Sequence, residues 1–398
     1  MRLIDPTIFL SSLLPLFAAA PLRGRTPPPF CHNEMESLLC INTGGPGDLH
    51  GKRARRLTAG LDAERVFFDL DKSKSRLANA RAIWDLLAAR PWDLVYQEGT
   101  GVAAGIPLVL AARFCNQRYV VSSGDPVGGF FRTVEGPLTG VVLEQYERHL
   151  YRHSAGFIGW TPYLTGRALK MGAARAATVE GAVDTSLFAP CPPEERRSLK
   201  ERYGLSPGHI VCGVAGSLRW VHRQKYCYGL ELVEMLRHLD RDDVSVLIVG
   251  DGDGRPILRE RVPEAWRDRV VFTGRLPEEE VSDALNAMDV GFIAQTLDGL
   301  GSYRLTTKLP EYLAAGLPVA MSQVPGFFDY ARPAGWPLPA HHPASDAFHR
   351  GCAGWLDELT RAEIADRRRR APTRARRFFD YEVVRPRFEA FVSSLSTA

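Results

Sequence analysis

The sequence predicts an α/β protein built from two doubly wound domains, and three observations point there. At 398 residues the chain exceeds one ordinary hydrophobic core, and ~150 residues per domain suggests two. Short apolar runs ending in Gly, Ser or Thr alternate with helical patterns, and the alternation occurs in two series. Between the series, Pro190, Pro192 and Pro193 rule out a continuous helix and a charged run follows.

The first series starts at Leu38 and reads "LLCIN", "DLVYQ", "YVVSS" and "GFIGW"; the second reads "IVCGVAG", "VSVLIVG", "RVVFTG", "VGFIA" and "PVAMS". The expected division is an N-terminal extension over 1–35, a first domain over 36–190, a second over 191–380 and a terminal helix over 381–398. That helix shows Phe388, Phe391, Val392 and Leu395 at helical spacing and has no strand of its own, so it is expected to pack back on the first domain. Residues 1–35 read as a disordered or over-extended start, because Met35 opens "SLLCINTGG" as a terminus would; a secretion signal is the alternative. Ile8 to Ala20 is apolar but carries Pro15 and is shorter than the ~20 residues of a spanning helix.

Composition narrows the function classes. With 45% hydrophobic and 24% charged residues the chain is globular rather than disordered or fibrous. A net charge of +4 argues against nucleic acid, which needs a concentrated basic stripe. Seven scattered cysteines with no C-x-x-C and no histidine at zinc spacing fit a reducing, cytoplasmic setting. The arginine-rich stretch Arg367 to Arg377 reads as a solvated face, with peripheral attraction to the inner face of a membrane as the alternative.

In doubly wound sheets ligands bind beyond the carboxyl ends of the strands, so those loops carry the chemistry. After "VGFIA", "GLGSYRLTTKLPEYLAAGLPV" predicts a short helix starting near Thr306 or Thr307, either of which suits the cap. Pro310 lies in its first turn, and Gly316 with Pro318 ends it. Unpaired amides of Leu305, Thr306 and Thr307 with Lys308 close by make a place for phosphate. Glu311, one turn in, suits a ribose diol. The plainer alternative is that Glu311 complements the helix dipole and Lys308 is solvated. In "GVAGSLRWVHRQK", Gly213 and Gly216 form a turn, and Arg219 and Lys225 are placed to clamp a diphosphate, or else are surface charges. "VLIVGDGDGRPIL" is a strand and tight turn without G-x-G-x-x-G, so a nicotinamide dehydrogenase is poorly supported.

Together "GVAGSLR…K", "LIVGDGDGR", "VVFTGRLPEEEVSDALNAMDVGFI" and "TTKLPEYLAAGLPVA" resemble, in order and spacing, the C-terminal domain of GT-B retaining glycosyltransferases of the group-1, family-four type. The first half agrees more loosely through "INTGGPGDLHG", "RPWDLVYQ", "SAGFIGWTPYL" and "TVEGAVDTSLFAP", where Gly181 and Ala182 replace the Asn-Gly of the family connector. The resemblance covers residues 38 to about 395 and implies two Rossmann-like domains facing a central cleft, with the last helix crossing back. It also implies a nucleoside-diphosphate-sugar donor on the second domain, a hydroxyl-bearing acceptor (glycan, lipid or natural product) mainly on the first, and no obligatory metal or other cofactor. Positions matching Arg219 and Lys225 hold the diphosphate in such enzymes, amides matching Leu305 to Thr307 assist, and the position matching Glu311 binds ribose. Gly216, Gly274, Arg275, Tyr303 and Lys308 fall in the same donor set, and Gly44 and Gly45 approach the phosphates from the first domain.

Two departures stand out. Tyr303 occupies the place of the first of the family's paired glutamates, so the acid expected at the sugar ring is missing. Where the family often has a histidine at the end of a first-domain strand, this chain has Gly124 and Asp125. Asp125 either orients an acceptor hydroxyl, as a third catalytic candidate beside Arg219 and Lys225, or holds its loop by an Asx turn; Glu98 has the same ambiguity. The D-x-D pairs Asp69/Asp71, Asp240/Asp242 and Asp251/Asp253 read as structural rather than metal-binding. His149 and His153 share a helix face with no third ligand and read as surface or interdomain residues. The expected activity is a retaining sugar transfer, with a nucleotide-sugar 2-epimerase or a catalytically impaired nucleotide-sugar-binding homologue as alternatives.

Overall fold

The computed structural model describes residues 35–396; the signal, anchor or mis-assigned-start readings of 1–34 lie outside them. The first part of the chain runs β1 (Ser37–Asn42), α1 (Leu49–Leu57), β2 (Glu64–Asp69), α2 (Arg76–Ala89), β3 (Leu94–Glu98), α3 (Val102–Cys115), β4 (Tyr119–Ser123), α4 (Val127–Val134), α5 (Pro137–Arg152), β5 (Gly156–Gly159), α6 (Pro162–Lys170) and β6 (Ala176–Thr178). The strands form one parallel sheet ordered β2-β1-β3-β4-β5-β6. Strands β1, β3, β4 and β5 are apolar and almost wholly buried, as strands covered by helices on both faces must be.

The second part runs α7 (Pro193–Arg202), β7 (Ile210–Ala215), α8 (Leu230–Glu234), β8 (Val244–Val249), α9 (Gly254–Arg261), β9 (Val270–Gly274), α10 (Glu278–Ala287), β10 (Val290–Ile293), α11 (Lys308–Ala314), β11 (Val319–Met321), β12 (Gly335–Pro337), α12 (Asp346–Glu358), α13 (Arg361–Phe378) and α14 (Tyr381–Ser396). Its sheet is again parallel, ordered β12-β11-β10-β7-β8-β9. Counted from its own first strand this is the 3-2-1-4-5-6 order of a Rossmann-like sheet. Two six-stranded doubly wound sheets give the chain two Rossmann-like domains, as the sequence predicts.

Every strand read from the sequence is present, and β2, β6 and β12 are additional. All three are sheet edges, and β2 carries Glu64 and Arg65 in "ERVFFD", a pattern less apolar than a central strand's. The described residues divide into two compact units: 35–132, 136–180 and 384–396 form the first, 133–135 and 181–383 the second. The second unit thus begins at Gly181, ahead of the proline cluster. Val183 is tied to it: its amide donates to the Phe379 carbonyl at 2.8 Å, and the neighbouring Thr185 hydroxyl donates to Asp380.

Helix α14 belongs to the first unit from Val384 onward. Phe388 is fully buried with its ring 4.9 Å from that of Tyr96, and Arg175 donates to the Ser394 carbonyl at 2.7 Å. Gly156 lets this helix approach: a Cβ there would lie 2.9 Å from the Phe391 ring. The arginine-rich stretch lies in α13 and is only partly the solvated face expected. Arg367 stacks on Trp336 at 4.3 Å, and Arg368 and Arg374 donate to the Met288 and Tyr330 carbonyls, because long side chains can lie along apolar surface while their heads find acceptors.

Removing the Phe388 ring opens a cavity that the surrounding sheet cannot collapse to fill. Phe388→Ala is therefore expected to destabilise the first unit by about 3–5 kcal/mol, read as a lowered urea midpoint by tryptophan fluorescence.

Candidate functional site

In the second sheet the strand order reverses between β7 and β10, which leaves a crevice beyond their carboxyl ends. The turn after β7 depends on two glycines. Gly216 has φ +149° and Gly250, after β8, has φ +129°; a Cβ on Gly250 would collide with the Gly216 carbonyl. Beyond this nested pair the Leu218 amide donates to the Asp251 carbonyl at 3.1 Å and the Trp220 amide to Asp253 Oδ1 at 2.7 Å. Arg219, between two fixed neighbours, has an exposed side chain. A tight hairpin over 221–226 follows, and Lys225 occupies its left-handed position at φ +50° with its ammonium exposed. Tyr226 anchors the hairpin by donating its hydroxyl to Glu231 at 2.9 Å.

The segment after β10 supplies the opposite side. The Asp298 carboxylate accepts from the amides of Leu300 and Gly301, which folds the glycine-rich stretch into a turn. Tyr303 is half-buried, Leu305 and Thr306 are buried, and α11 begins at Lys308. Neither threonine acts as expected of a cap: Thr307 is the N-cap but makes no side-chain bond, because its backbone (φ −62°, ψ −22°) is already helical rather than extended. Among the described residues no hydrogen bond is donated by the amides of Leu305, Thr306 or Thr307. Lys308 is not solvated, being 7% exposed. Its ammonium lies 3.7 Å from the Tyr228 ring centre and 2.8 Å from where a Gly216 Cβ would stand. The Tyr312 hydroxyl receives the Ala215 amide at 2.6 Å and pins α11 to the end of β7. Burial pushes the Glu311 carboxyl up to about 7, against the pull of Lys308 and with a contribution from Glu278. Gly274, at φ +76°, receives the Gly250 amide through its carbonyl at 2.9 Å, and Arg275 beyond it is exposed.

In the first sheet the order reverses between β1 and β3. Gly44 and Gly45 follow β1, and Asp48 closes their loop by accepting the Gly45 amide at 2.9 Å. The side-chain bond from Lys72, then that amide, holds the Asp48 carboxyl below the usual range. Glu98, the last residue of β3, differs from the expected acceptor-side group. It is wholly buried, accepts from the hydroxyls of Tyr96 and Ser122, and lies 3.3 Å from Arg53 Nε. Burial alone would push its carboxyl up, but Arg53, with His50 and Tyr96, outweighs that and holds it below the usual range. Arg53 is in turn fixed by the carbonyls of Glu180 and Val179 and stacks on Trp160 at 4.7 Å. Asp125 follows β4 and is half-buried; its loop is closed by the Ser123 hydroxyl, which donates to the Asp125 carbonyl at 2.7 Å. Two of the D-x-D pairs have structural partners: Asp69 receives Asn42 and Arg55, and Asp253 receives Trp220. Among the described residues no group of three His, Cys, Asp or Glu side chains is arranged to hold a metal ion, and no helix is long and apolar enough to cross a membrane.

Residues 209–352, which contain the whole Gly216-to-Glu311 constellation, match the family described as glycosyl transferases group 1. That match covers about a third of the chain and lies wholly within the second unit. The chain is 34% identical over 201 residues to the 2-deoxystreptamine glucosyltransferase of Streptomyces kanamyceticus, covering 49% of each chain, so it spans about half the length of that relative. In fold it is similar to sucrose-phosphate synthase of Thermosynechococcus elongatus, with a TM-score of 0.70 at 13% identity over 91% of this chain and 100% of that one. It is likewise similar to HepE of Anabaena in complex with UDP and glucose, with a TM-score of 0.65 at 14% identity over 90% of this chain and 100% of that one.

Within the matched segment the structure joins Gly216, Gly274 and Lys308 through shared contacts and leaves Arg219, Lys225 and Arg275 as exposed cations on turns. Sequence reasoning missed Tyr226, Tyr228 and Glu231, which support that constellation from the end of the hairpin and from the short helix α8 that follows it, neither carrying a motif. Glu231 is fully buried, and its Oε1 has no hydrogen-bond partner among the described residues. Burial pushes its carboxyl up to about 7; its own and Gly229's amides, the Tyr226 hydroxyl and Lys308 pull the other way. A carboxyl raised above its unfolded value binds more protons when folded, so its contribution to stability is lost as pH rises from about 5 through 7. Glu231→Gln removes this loss. The difference in stability between variant and parent is expected to shift in the variant's favour by on the order of 3 kcal/mol between pH 5 and pH 8, measured by urea unfolding at both.

Proposed function

We propose that the protein transfers a sugar from a nucleoside diphosphate to a hydroxyl-bearing acceptor with retention of configuration, and that no metal is obligatory. The observation carrying this reading is positional. Gly216, Arg219 and Lys225 follow β7, Leu305 to Glu311 follow β10, and these two strands flank the order reversal inside the segment matching the group 1 family. Arg219 and Lys225 would stabilise the departing diphosphate, with amides of the 305–307 turn as further donors. Glu311 would accept the ribose hydroxyls, and Lys308, enclosed beneath Gly216, would add fixed positive charge under the phosphates. The acceptor hydroxyl would attack from the face the diphosphate leaves, through an oxocarbenium-like transition state, a donor phosphate oxygen taking the proton. The protein need supply no nucleophile in this scheme.

Uridine diphosphate is the first nucleotide to test, since the Anabaena neighbour is a complex with UDP and glucose. The Streptomyces relative is named for transfer of glucose to 2-deoxystreptamine, which supports a natural-product polyol as acceptor. With Tyr303 in place of an acid, recognition of the donor sugar ring would fall to a phenol and to neighbouring backbone. A cytoplasmic setting is part of this reading, and peripheral membrane contact is not required by it.

A thermal-shift and calorimetric panel of UDP, GDP, ADP and dTDP tests the donor side. At least one nucleotide is expected to stabilise the protein, and Arg219→Ala/Lys225→Ala is expected to weaken it at least about tenfold, the minimum for losing one charge-assisted hydrogen bond. No response to any nucleotide contradicts the proposal. Glu311→Ala is expected to weaken the nucleoside diphosphate while leaving inorganic pyrophosphate nearly unchanged; equal losses for both would remove the ribose role. Product analysis with UDP-glucose separates transfer from epimerisation and from binding without turnover.

A further inference from the structure

The first sheet has a crevice of its own at the β1/β3 reversal, and one polar side chain stands in it half-open. His50 lies in the first turn of α1, directly after the Gly44–Gly45 loop, with its side chain 33% exposed. Its Nδ1 is enclosed, has no hydrogen-bond partner among the described residues, and faces Glu98 Oε1 at 3.6 Å, a small ring rotation from a hydrogen bond. Glu98 is wholly buried and ionised in the grip of Arg53, Tyr96 and Ser122, so it can only accept. The Trp160 ring lies 6.1 Å from the imidazole centre and is itself stacked by Arg53.

We infer that buried Glu98 holds His50 in its Nδ1–H tautomer, so that the Nε2 lone pair, on the exposed side of the ring, accepts a hydrogen bond from a hydroxyl of the acceptor. His50 is then an acceptor-binding residue and Glu98 a positioning residue acting through it. A carboxylate facing one ring nitrogen selects the tautomer that donates to it and leaves the other nitrogen an acceptor. Glu98 therefore serves the site without touching a ligand, which is why its complete burial is compatible with a functional role. The recognised chemistry is a neutral hydroxyl of a polyol, since Arg53 and Glu98 cancel each other and leave no net charge at this point. The choice of acceptor as ligand rests on the sugar-transfer reading above.

Two measurements on the full chain test this, and the first of them is independent of that reading. A histidine-selective long-range 15N–1H spectrum reads the tautomer without any substrate. Wild type is expected to show His50 as Nδ1–H, and Glu98→Gln to raise the Nε2–H fraction several-fold; a wild-type His50 already in the Nε2–H form overturns the inference. The second is kinetic, with UDP-glucose as donor and 2-deoxystreptamine as probe acceptor. His50→Ala is expected to raise the acceptor KM at least tenfold while the UDP Kd changes less than twofold. His50→Gln, whose terminal amide can stand where Nε2 stood, is expected to recover most of the loss, and His50→Asn, which reaches only to the Nδ1 position, to recover little. An unchanged acceptor KM in His50→Ala, or rescue by Asn and not Gln, overturns the inference. Failure of wild type to bind any nucleoside diphosphate would instead remove the sugar-transfer reading, and the tautomer result would stand on its own.

Discussion

At the carboxyl edge of the second sheet the Gly216 carbonyl occupies the space in which a side chain at 250 would begin, and much of the site's arrangement follows from that contact. Two turns that would each take separate room are nested, with both glycines at positive φ. Because the turn after β7 is drawn this close, Lys308 can lie directly beneath it, and the Tyr312 hydroxyl can take the Ala215 amide at the end of the same strand. A side chain at either glycine would push the Lys308 ammonium and the end of β7 apart. The cationic floor of the crevice is thus a consequence of backbone packing before it is one of charge.

The two units use the same device with different chemistry. Each places its loops where the order of a parallel sheet reverses, β7/β10 in one and β1/β3 in the other. In the second unit the crevice gathers cations, free amides and a carboxyl raised by burial, an arrangement suited to a diphosphate and a diol. In the first, the buried acid is matched by a buried arginine, and what reaches the surface is an imidazole edge beside a glycine loop. On the sugar-transfer reading proposed above, an anionic leaving group and a neutral hydroxyl would call for that contrast.

The buried carboxyls show how position sets role. Glu98 and Glu231 are both wholly enclosed, yet Glu98 is held ionised by a guanidinium 3.3 Å away, whereas Glu231 has Tyr226 and a more distant Lys308 and is pushed up to about 7. The first is a fixed negative charge that orients its neighbour. The second gains or loses its proton near neutral pH and makes the stability of its unit depend on pH.

Much was determined by the sequence alone. Apolar runs such as "VSVLIVG" and "YVVSS" fix buried parallel strands because no other element buries both faces of so short a segment, and "TTKLPEYLAAGLPV" fixes a helix that starts just after the threonines and stops just before Gly316. Spacing placed Gly216, Arg219, Lys225 and Glu311 after the strands that now flank the crevice. Tertiary structure decided the rest, for reasons periodicity does not carry. Edge strands such as β2 and β12 owe their existence to a neighbour's free hydrogen-bonding edge rather than to their own pattern. Whether Lys308 faced water or Tyr228, and whether Glu98 faced a ligand or Arg53, depended on residues tens of positions away. His50 and Glu98 are 48 positions apart, and only the pairing of β1 with β3 brings them within 3.6 Å.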